Sequence, residues 1–470
     1  MARDDRPCDP HVGNRSYKNL IRADILKPRC ERLVPHTSPA TPTRRSTQWL
    51  SRLSPIAFGL FAGLMAFGVY FAMYAFRKPF TVADFDGLSV LGMDYKIALV
   101  IAQVVGYALA KMVGVKIISE LPAHRRVLGI LAQIALAEAA LVLFALIPAP
   151  WNVACLFLDG LALGMIWGMV FAFVEGRRQS ELIAAILCAS FILSSGTVKA
   201  VGEWVLLRGI SPFWMPAATG ALFAPLLLVC LYGLSILPEP DARDIAERIE
   251  RKPMNRAARA QLWSHYAVGL SSLILLYVML TALRDFRDNF SAEIWREVGH
   301  GGQADIFAWS EIPVSMVVLA ALGALMVFKD NRKAVAANMV LIGLGLVMAG
   351  GASLGFAAHL IGAVAWMILL GAGLYLAYTP FNGILFDRLV ASGGTPGNAG
   401  FMIYLADAFG YGGSILLLLA RNLPGFHLDW THFLIEISLA TSGLGLALLI
   451  FAWSWFDRRL SQSDQAVPAL

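Results

Sequence analysis

The sequence predicts an all-α integral membrane protein of twelve transmembrane helices in two six-helix bundles, and three observations predict it. Of its 470 residues, 58% are hydrophobic and only 15% charged, and its mean hydropathy is +0.65. A soluble domain of this size carries about a quarter charged residues, so the apolar excess must face lipid. Apolar stretches of about 20 residues follow one another from Pro55 to Phe456, each long enough to cross a hydrocarbon core of about 30 Å. One long charged segment, LPEPDARDIAERIERKPMNRAARAQLW, divides them six and six.

Residues 1–47 are rich in Arg, Pro, Ser and Thr and contain no apolar run ending in a small-residue cleavage site. They read as a disordered basic cytoplasmic tail or as an extension from a start codon chosen upstream, and no function is assigned to them. The first bundle is expected over 48–236, with spans near 55–77, 95–115, 127–148, 152–174, 182–207 and 212–236. The charged cytoplasmic linker covers 237–263. The second bundle, 264–457, holds spans near 264–284, 305–328, 334–356, 358–385, 399–420 and 432–456, and 458–470 form a C-terminal tail.

Loop charge sets the orientation. His124-Arg125-Arg126, Arg177-Arg178, the linker, Lys329 to Lys333, Arg388 and Arg458-Arg459 all fall on one side, while ADFDGLSVLGMD, PAPWN and GFAAH on the other are poor in Lys and Arg. Both termini are therefore expected in the cytoplasm, in a plasma (inner) membrane. Arg287 and Arg296, assigned to the loop between the seventh and eighth spans, are the exception. The net charge of +6 is thus a loop-charge signature, which argues against nucleic acid as a partner. Five cysteines (Cys8, Cys30, Cys155, Cys188 and Cys230) have no CxxC or CxxH spacing, so disulfide framework, zinc site and haem attachment are unsupported. No cofactor or metal is expected, and a monomer in the lipid bilayer is the default.

Charged residues inside the spans are the functional candidates, because an unpaired cation there costs about 2.5–3.5 kcal/mol. Arg77-Lys78 and Arg284 stand at the ends of the first span of each half, after YAF and TAL respectively. Two arginines paired across a central cavity would hold a phosphate or carboxylate through bidentate hydrogen bonds. The plainer alternative is that both spans end there and the side chains reach to the interface. Tyr70, Tyr74 and Arg77, at i, i+4 and i+7, share one helix face. Lys111 lies inside the second span. Lys199 and Glu203 form an i,i+4 pair that can neutralise itself, either as a gating or coupling pair or as a structural one. Asp159, Glu138, Glu311 and Asp407 are lone acids, of which Asp159 and Asp407 are flanked by small residues that suit an inward face. Gly160, Gly164 and Gly168 give the fourth span a flat packing face, and Gly343, Gly345, Gly350 and Gly351 soften the ninth. No strand precedes any of them, so nucleotide-binding motifs are absent.

Six plus six spans about a charged central loop resemble the major facilitator superfamily, whose halves are parallel repeats. Within it, the chain resembles the organophosphate:phosphate antiporters, the glycerol-3-phosphate and hexose-phosphate transporters. The segment YFAMYAFRKPF (70–80) is similar to their first-helix motif, and YALAK (107–111) to the second-helix stretch with a cavity lysine. Asp159-Gly160 through Trp167, Leu283-Arg284, Tyr378-Thr379-Pro380 and Phe409 to Gly413 are similar to segments of the fourth, seventh, tenth and eleventh helices. The resemblance implies that Arg77 and Arg284 grip a phosphoryl group, with Lys111, Tyr70, Tyr74, Tyr378 and Tyr411 lining the path. Two departures stand out. The region of the family's fifth-helix histidine reads Cys188-Ala189-Ser190-Phe191, and Asp285 sits beside Arg284, where it would partly neutralise it.

The expected function is that of a secondary active transporter moving a small anionic solute, phosphorylated if the resemblance extends so far, by alternating access. A transporter-like sensor of a phosphorylated metabolite is the first rival. A membrane-embedded enzyme is the second, although no HExxH, Ser/His pair or acid cluster supplies a catalytic set.

Overall fold

The computed structural model describes residues 49–465 apart from 51, 121, 175–179, 239–255, 383, 393–398 and 424–428. The tail over 1–47, most of the linker, Arg177-Arg178 and the last five residues lie outside the described residues. Twelve helical segments among those described are long and apolar enough to cross a membrane. The first six are Pro55–Arg77, Tyr95–Gly114, Arg125–Leu146, Val153–Val174, Leu182–Leu207 and Met215–Ser235. The second six are Tyr266–Asn289, Ile306–Leu325, Asn331–Ala357, Ala363–Asn382, Met402–Arg421 and Trp430–Arg459. The face from which the first span starts is called here the near face, and the opposite one the far face.

Local chemistry accounts for the helix ends. The first span opens on Ser54, whose hydroxyl accepts from the Ala57 amide, followed by Pro55 at the first helical position. The ninth opens on Asp330, whose carboxylate accepts from the Lys333 amide. The loop after the first span folds into a short 3-10 turn, Pro79–Val82, and a two-residue hairpin, β1 (Ser89–Val90) against β2 (Met93–Asp94). The seventh span is longer than expected. Its helix runs from Arg256 to Asn289, so Arg284, Asp285, Arg287 and Asp288 belong to the span and not to a loop.

The halves meet along two seams, the fifth span against the eighth and the second against the eleventh. Adding six to one member of a pair and subtracting six from the other turns each seam into the other, as two parallel repeats about a central axis require. The tenth span, the most buried of the twelve, lies against the centre. This is the major facilitator fold.

Two spans are broken beside the centre. The fourth consists of Val153–Leu163 and Ile166–Val174, interrupted at Gly164-Met165. The tenth is helical over Ala363–Tyr378, tightens into a 3-10 turn at Thr379–Asn382 and resumes at Leu385–Ser392. Pro380, which has no amide proton and clashes with the preceding turn, explains the second break. Gly160 and Gly164 pack the fourth span directly on the backbone of the second at Gln103 and Tyr107. In the ninth span Gly345 is a packing residue against Gly373 of the tenth, not a softener.

A Cβ at position 160 would land on the Gln103 carbonyl, whereas position 351 has open space around it. Gly160→Ala is therefore expected to cost about 1–3 kcal/mol through overpacking, and Gly351→Ala to leave stability unchanged or slightly raised. Thermal unfolding of the two variants in detergent checks the contrast.

Candidate functional site

A cavity of about 270 Å3 lies between the halves. Seven of the eight residues expected to bind solute face it, namely Tyr70, Tyr74, Arg77, Lys111, Arg284, Tyr378 and Tyr411. The broken tenth span delivers Tyr378, Thr379 and Asn382 to the wall, and the broken fourth delivers Gly164, Trp167 and Phe171. Gly410 and Gly413 let the eleventh span lie against Thr281 and Val278 of the seventh, which aims Tyr411 inward.

Arg77 ends its helix, yet its side chain turns inward and is only 7% exposed, so the interfacial alternative fails. Its guanidinium lies over the Tyr107 ring, 4.0 Å from the centroid, with the Tyr74 ring at 5.7 Å. Among the described residues no acid pairs with it, and its Nε has no hydrogen-bond partner. A desolvated cation–π contact supplies about 2 kcal/mol or somewhat more, while taking an ion out of water costs several. This guanidinium is underpaid by its own protein.

The other cavity cations are engaged. Lys111 reaches across the seam to Asp407 at 2.6 Å, and Asp407 also accepts from the Tyr277 hydroxyl at 2.5 Å. Tyr277 is in turn 2.9 Å from the Tyr378 hydroxyl. Arg284 lies over the Tyr378 ring at 4.4 Å and is held by Asp285 through Nε at 3.1 Å and Nη2 at 2.7 Å. Ser414 donates to the other Asp285 oxygen at 2.7 Å.

On the far side the halves are locked together. Lys78 contacts Asp288 at 2.5 Å and donates to Asn289 at 2.7 Å, and Lys199 contacts the second Asp288 oxygen at 2.5 Å and donates to Ser291 at 3.1 Å. Ser195 also donates to Asp288, and Lys96 pairs with Glu293. Every one of these contacts joins the first half to the second. Toward the near face the cavity wall continues through Ala184, Leu322, Asp387, Arg388 and Tyr404, at the near ends of their spans. The structure is thus sealed on the far side and runs toward the near side.

Four expectations need correcting. Lys78 does not line the cavity; it is 3% exposed and belongs to the far seal. Lys199 and Glu203 do not neutralise each other, because Lys199 turns to Asp288, and Glu203 lines a small far-side pocket with Asp84 and Arg296. Asp159 is fully buried away from the cavity and accepts from the Gln103 amide at 2.7 Å, while the same amide donates to the Arg77 carbonyl at 2.9 Å. Glu311 is not alone but paired with Arg287 at 2.8 Å. That pair removes the loop-charge exception, with Arg296 bound to Asp84 at 2.6 Å.

The sequence reading missed Asp288, Tyr107, Tyr277 and Gln103. Asp288 was missed because the seventh span was ended at Arg284. The signal that could have found it is the spacing Arg284, Asp285, Asp288, which repeats at one helical turn.

Residues 79–459 match a family described as a family of unknown function, DUF5690. The chain belongs to that family. A search of curated proteins finds no match. Among solved structures, a bacterial homologue of the human drug peptide transporters PepT1 and PepT2 is similar at TM-score 0.57 and 12% identity, over 87% of this chain and 100% of the other. The nucleoside transporter NupG is similar at 0.56 and 14%, over 85% and 98%. A bacterial homologue of the human lysosomal transporter Spinster, inward-facing and unoccupied, is similar at 0.52 and 14%, over 91% and 100%. At these identities the likeness is one of fold, and it assigns this member of the DUF5690 family the architecture of those proteins.

Asp288 holds two lysines of the opposite half, so its removal is expected to loosen the far seal. In a variant whose only cysteine is Cys188, which lines the cavity, a membrane-impermeant thiol reagent should react from the near face alone. Adding Asp288→Ala should make Cys188 reactive from the far face as well. The rates of labelling from the two sides of oriented membranes measure this.

Proposed function

We propose that this chain is a secondary transporter that carries a small anionic solute by alternating access, with both termini in the cytoplasm. The observation that carries the reading is the Arg77 guanidinium, buried, facing the cavity and lacking an acid partner. An anion bound there supplies the missing charge-assisted hydrogen bonds. Arg284, Lys111 and the hydroxyls of Tyr70, Tyr74, Tyr378 and Tyr411 complete the wall around it. Tyr74 and Tyr411 lie within electrostatic reach of both guanidinium groups, which supports a single shared site.

In this reading the seal of Lys78, Lys199 and Asp288 is the gate that opens when the halves rock, and Lys111–Asp407 is the pair that reorganises when solute arrives. Asp159, through Gln103, fixes the end of the helix that presents Arg77. The fold, shared with transporters, and the motifs around Tyr70–Phe80 and Leu283-Arg284 support the same reading. The similarity to organophosphate:phosphate antiporters places phosphate and glycerol-3-phosphate among the solutes to try, with exchange against internal phosphate as the coupling to try with them.

The test is uptake of labelled phosphate, glycerol-3-phosphate and a panel of organic anions into preloaded proteoliposomes. Arg77→Ala removes a buried charge contact worth about 2–5 kcal/mol, which is a loss of about 30-fold or more in affinity. Arg77→Lys should restore only part of it, because an ammonium lacks the planar fork. Wild-type uptake of an anion that survives Arg77→Ala unchanged would place the site elsewhere.

A further inference from the structure

The charges that face the cavity do not suit a phosphate ester. Four basic side chains line it, and three are already engaged. Lys111 is held by Asp407 at 2.6 Å, Arg284 by Asp285 at 2.7 and 3.1 Å, and Arg388, at the near mouth, donates to Asn331 at 2.9 Å with Asp387 in the same wall. Of the three cations deep in the cavity, Arg77 has no acid partner among the described residues. Asp159, behind it, is held by the Gln103 amide, and the lysines that share Asp288 do not line the cavity. The deep part of the cavity therefore offers one positive charge without an acid partner, that of Arg77.

A phosphate monoester carries about −1.5 to −2 charge at neutral pH. Holding it fully would mean drawing Lys111 from Asp407 or Arg284 from Asp285, leaving a buried acid unpaired. That penalty corresponds to about two to four orders of magnitude in affinity. A carboxylate needs no such exchange.

Beyond the tyrosine hydroxyls around Arg77, one stretch of the wall is aromatic and carries no polar side chain. Trp167 meets Tyr70 edge to face at 5.1 Å and stacks with Phe171 at 6.3 Å. Phe191 and Cys188 also line the cavity. Trp167, Phe171 and Phe191 are half-buried side chains whose free faces turn to the cavity. Hydroxyl groups laid against those faces would lose their hydrogen bonds to water without replacement, whereas a ring or branched chain loses nothing there.

We infer that the solute is a monovalent organic anion with an apolar, ring-sized body, a carboxylate held by Arg77 with its body on the Trp167–Phe171 and Phe191 faces. The inference rests on the anion-transport reading above and narrows its substrate class.

Binding to full-length protein in lipid nanodiscs, at one ionic strength, tests it with four probes that cross head group and body: 3-phenylpropionate, phenyl phosphate, glycerate and glycerol-3-phosphate. The expected order puts 3-phenylpropionate first, at least about tenfold tighter than each of the others. Asp285→Asn, which releases Arg284, should shift preference toward phenyl phosphate by about tenfold or more. If either phosphate binds tighter than the carboxylate of the same body, or glycerate matches 3-phenylpropionate, the narrower inference is overturned and the anion reading stands. If none of the four binds to correctly folded wild-type protein, the anion reading fails and takes this inference with it.

Discussion

Charge taken out of water must be matched, and the centre of this protein is laid out around that constraint. In a bilayer interior the cost of an unmatched ion exceeds what packing returns. Lys78, Lys96, Lys199, Lys111, Arg284 and Arg287 each meet a carboxylate, and four of those six pairs join one half of the molecule to the other. The same ion pairs that make the buried cations tolerable also hold the halves together. Arg77, which lines the cavity, departs from the pattern, with no acid partner among the described residues.

This arrangement divides the interior by task. On the far side, Asp288 gathers two lysines and a serine, and the surface between the halves is closed. In the middle, tyrosine rings line the cavity and lie over the guanidinium groups of Arg77 and Arg284. Toward the near face the wall turns apolar before reaching Asp387 and Arg388. Breaking a seal of ion pairs is reversible in a way that unpacking a hydrophobic core is not, since the separated charges can be taken up by water entering from the newly opened side.

The fold was legible in the sequence because its cause is local. Apolar length fixes the spans without reference to any long-range contact. The inward positions of Arg77, Arg284, Lys111 and the four tyrosines were legible through their place on helix faces and through the motif resemblance. Pairing was not. Whether Lys199 turns to Glu203 one turn away or to Asp288 in the other half depends on which helices are neighbours, and that is decided by the seams. Ending the seventh span at its first arginine hid Asp288 for a related reason. A run of charges reads as a loop until a partner for each is known, as Glu311 is for Arg287.

The two broken spans flanking the cavity differ in what broke them. Pro380 has no amide proton to give and its ring crowds the preceding turn, so a helix continued through it would lack a backbone hydrogen bond and kink, at a cost of about 3 kcal/mol. The bend at Gly164-Met165 carries no such penalty, and Gly164 already has helical backbone angles (φ −64°, ψ −21°). One wall of the cavity therefore has an elbow built in by its sequence, and the other a joint held by nothing but its packing. Any change in the shape of the cavity is then easier at the fourth span, in the first half, than at the tenth, in the second.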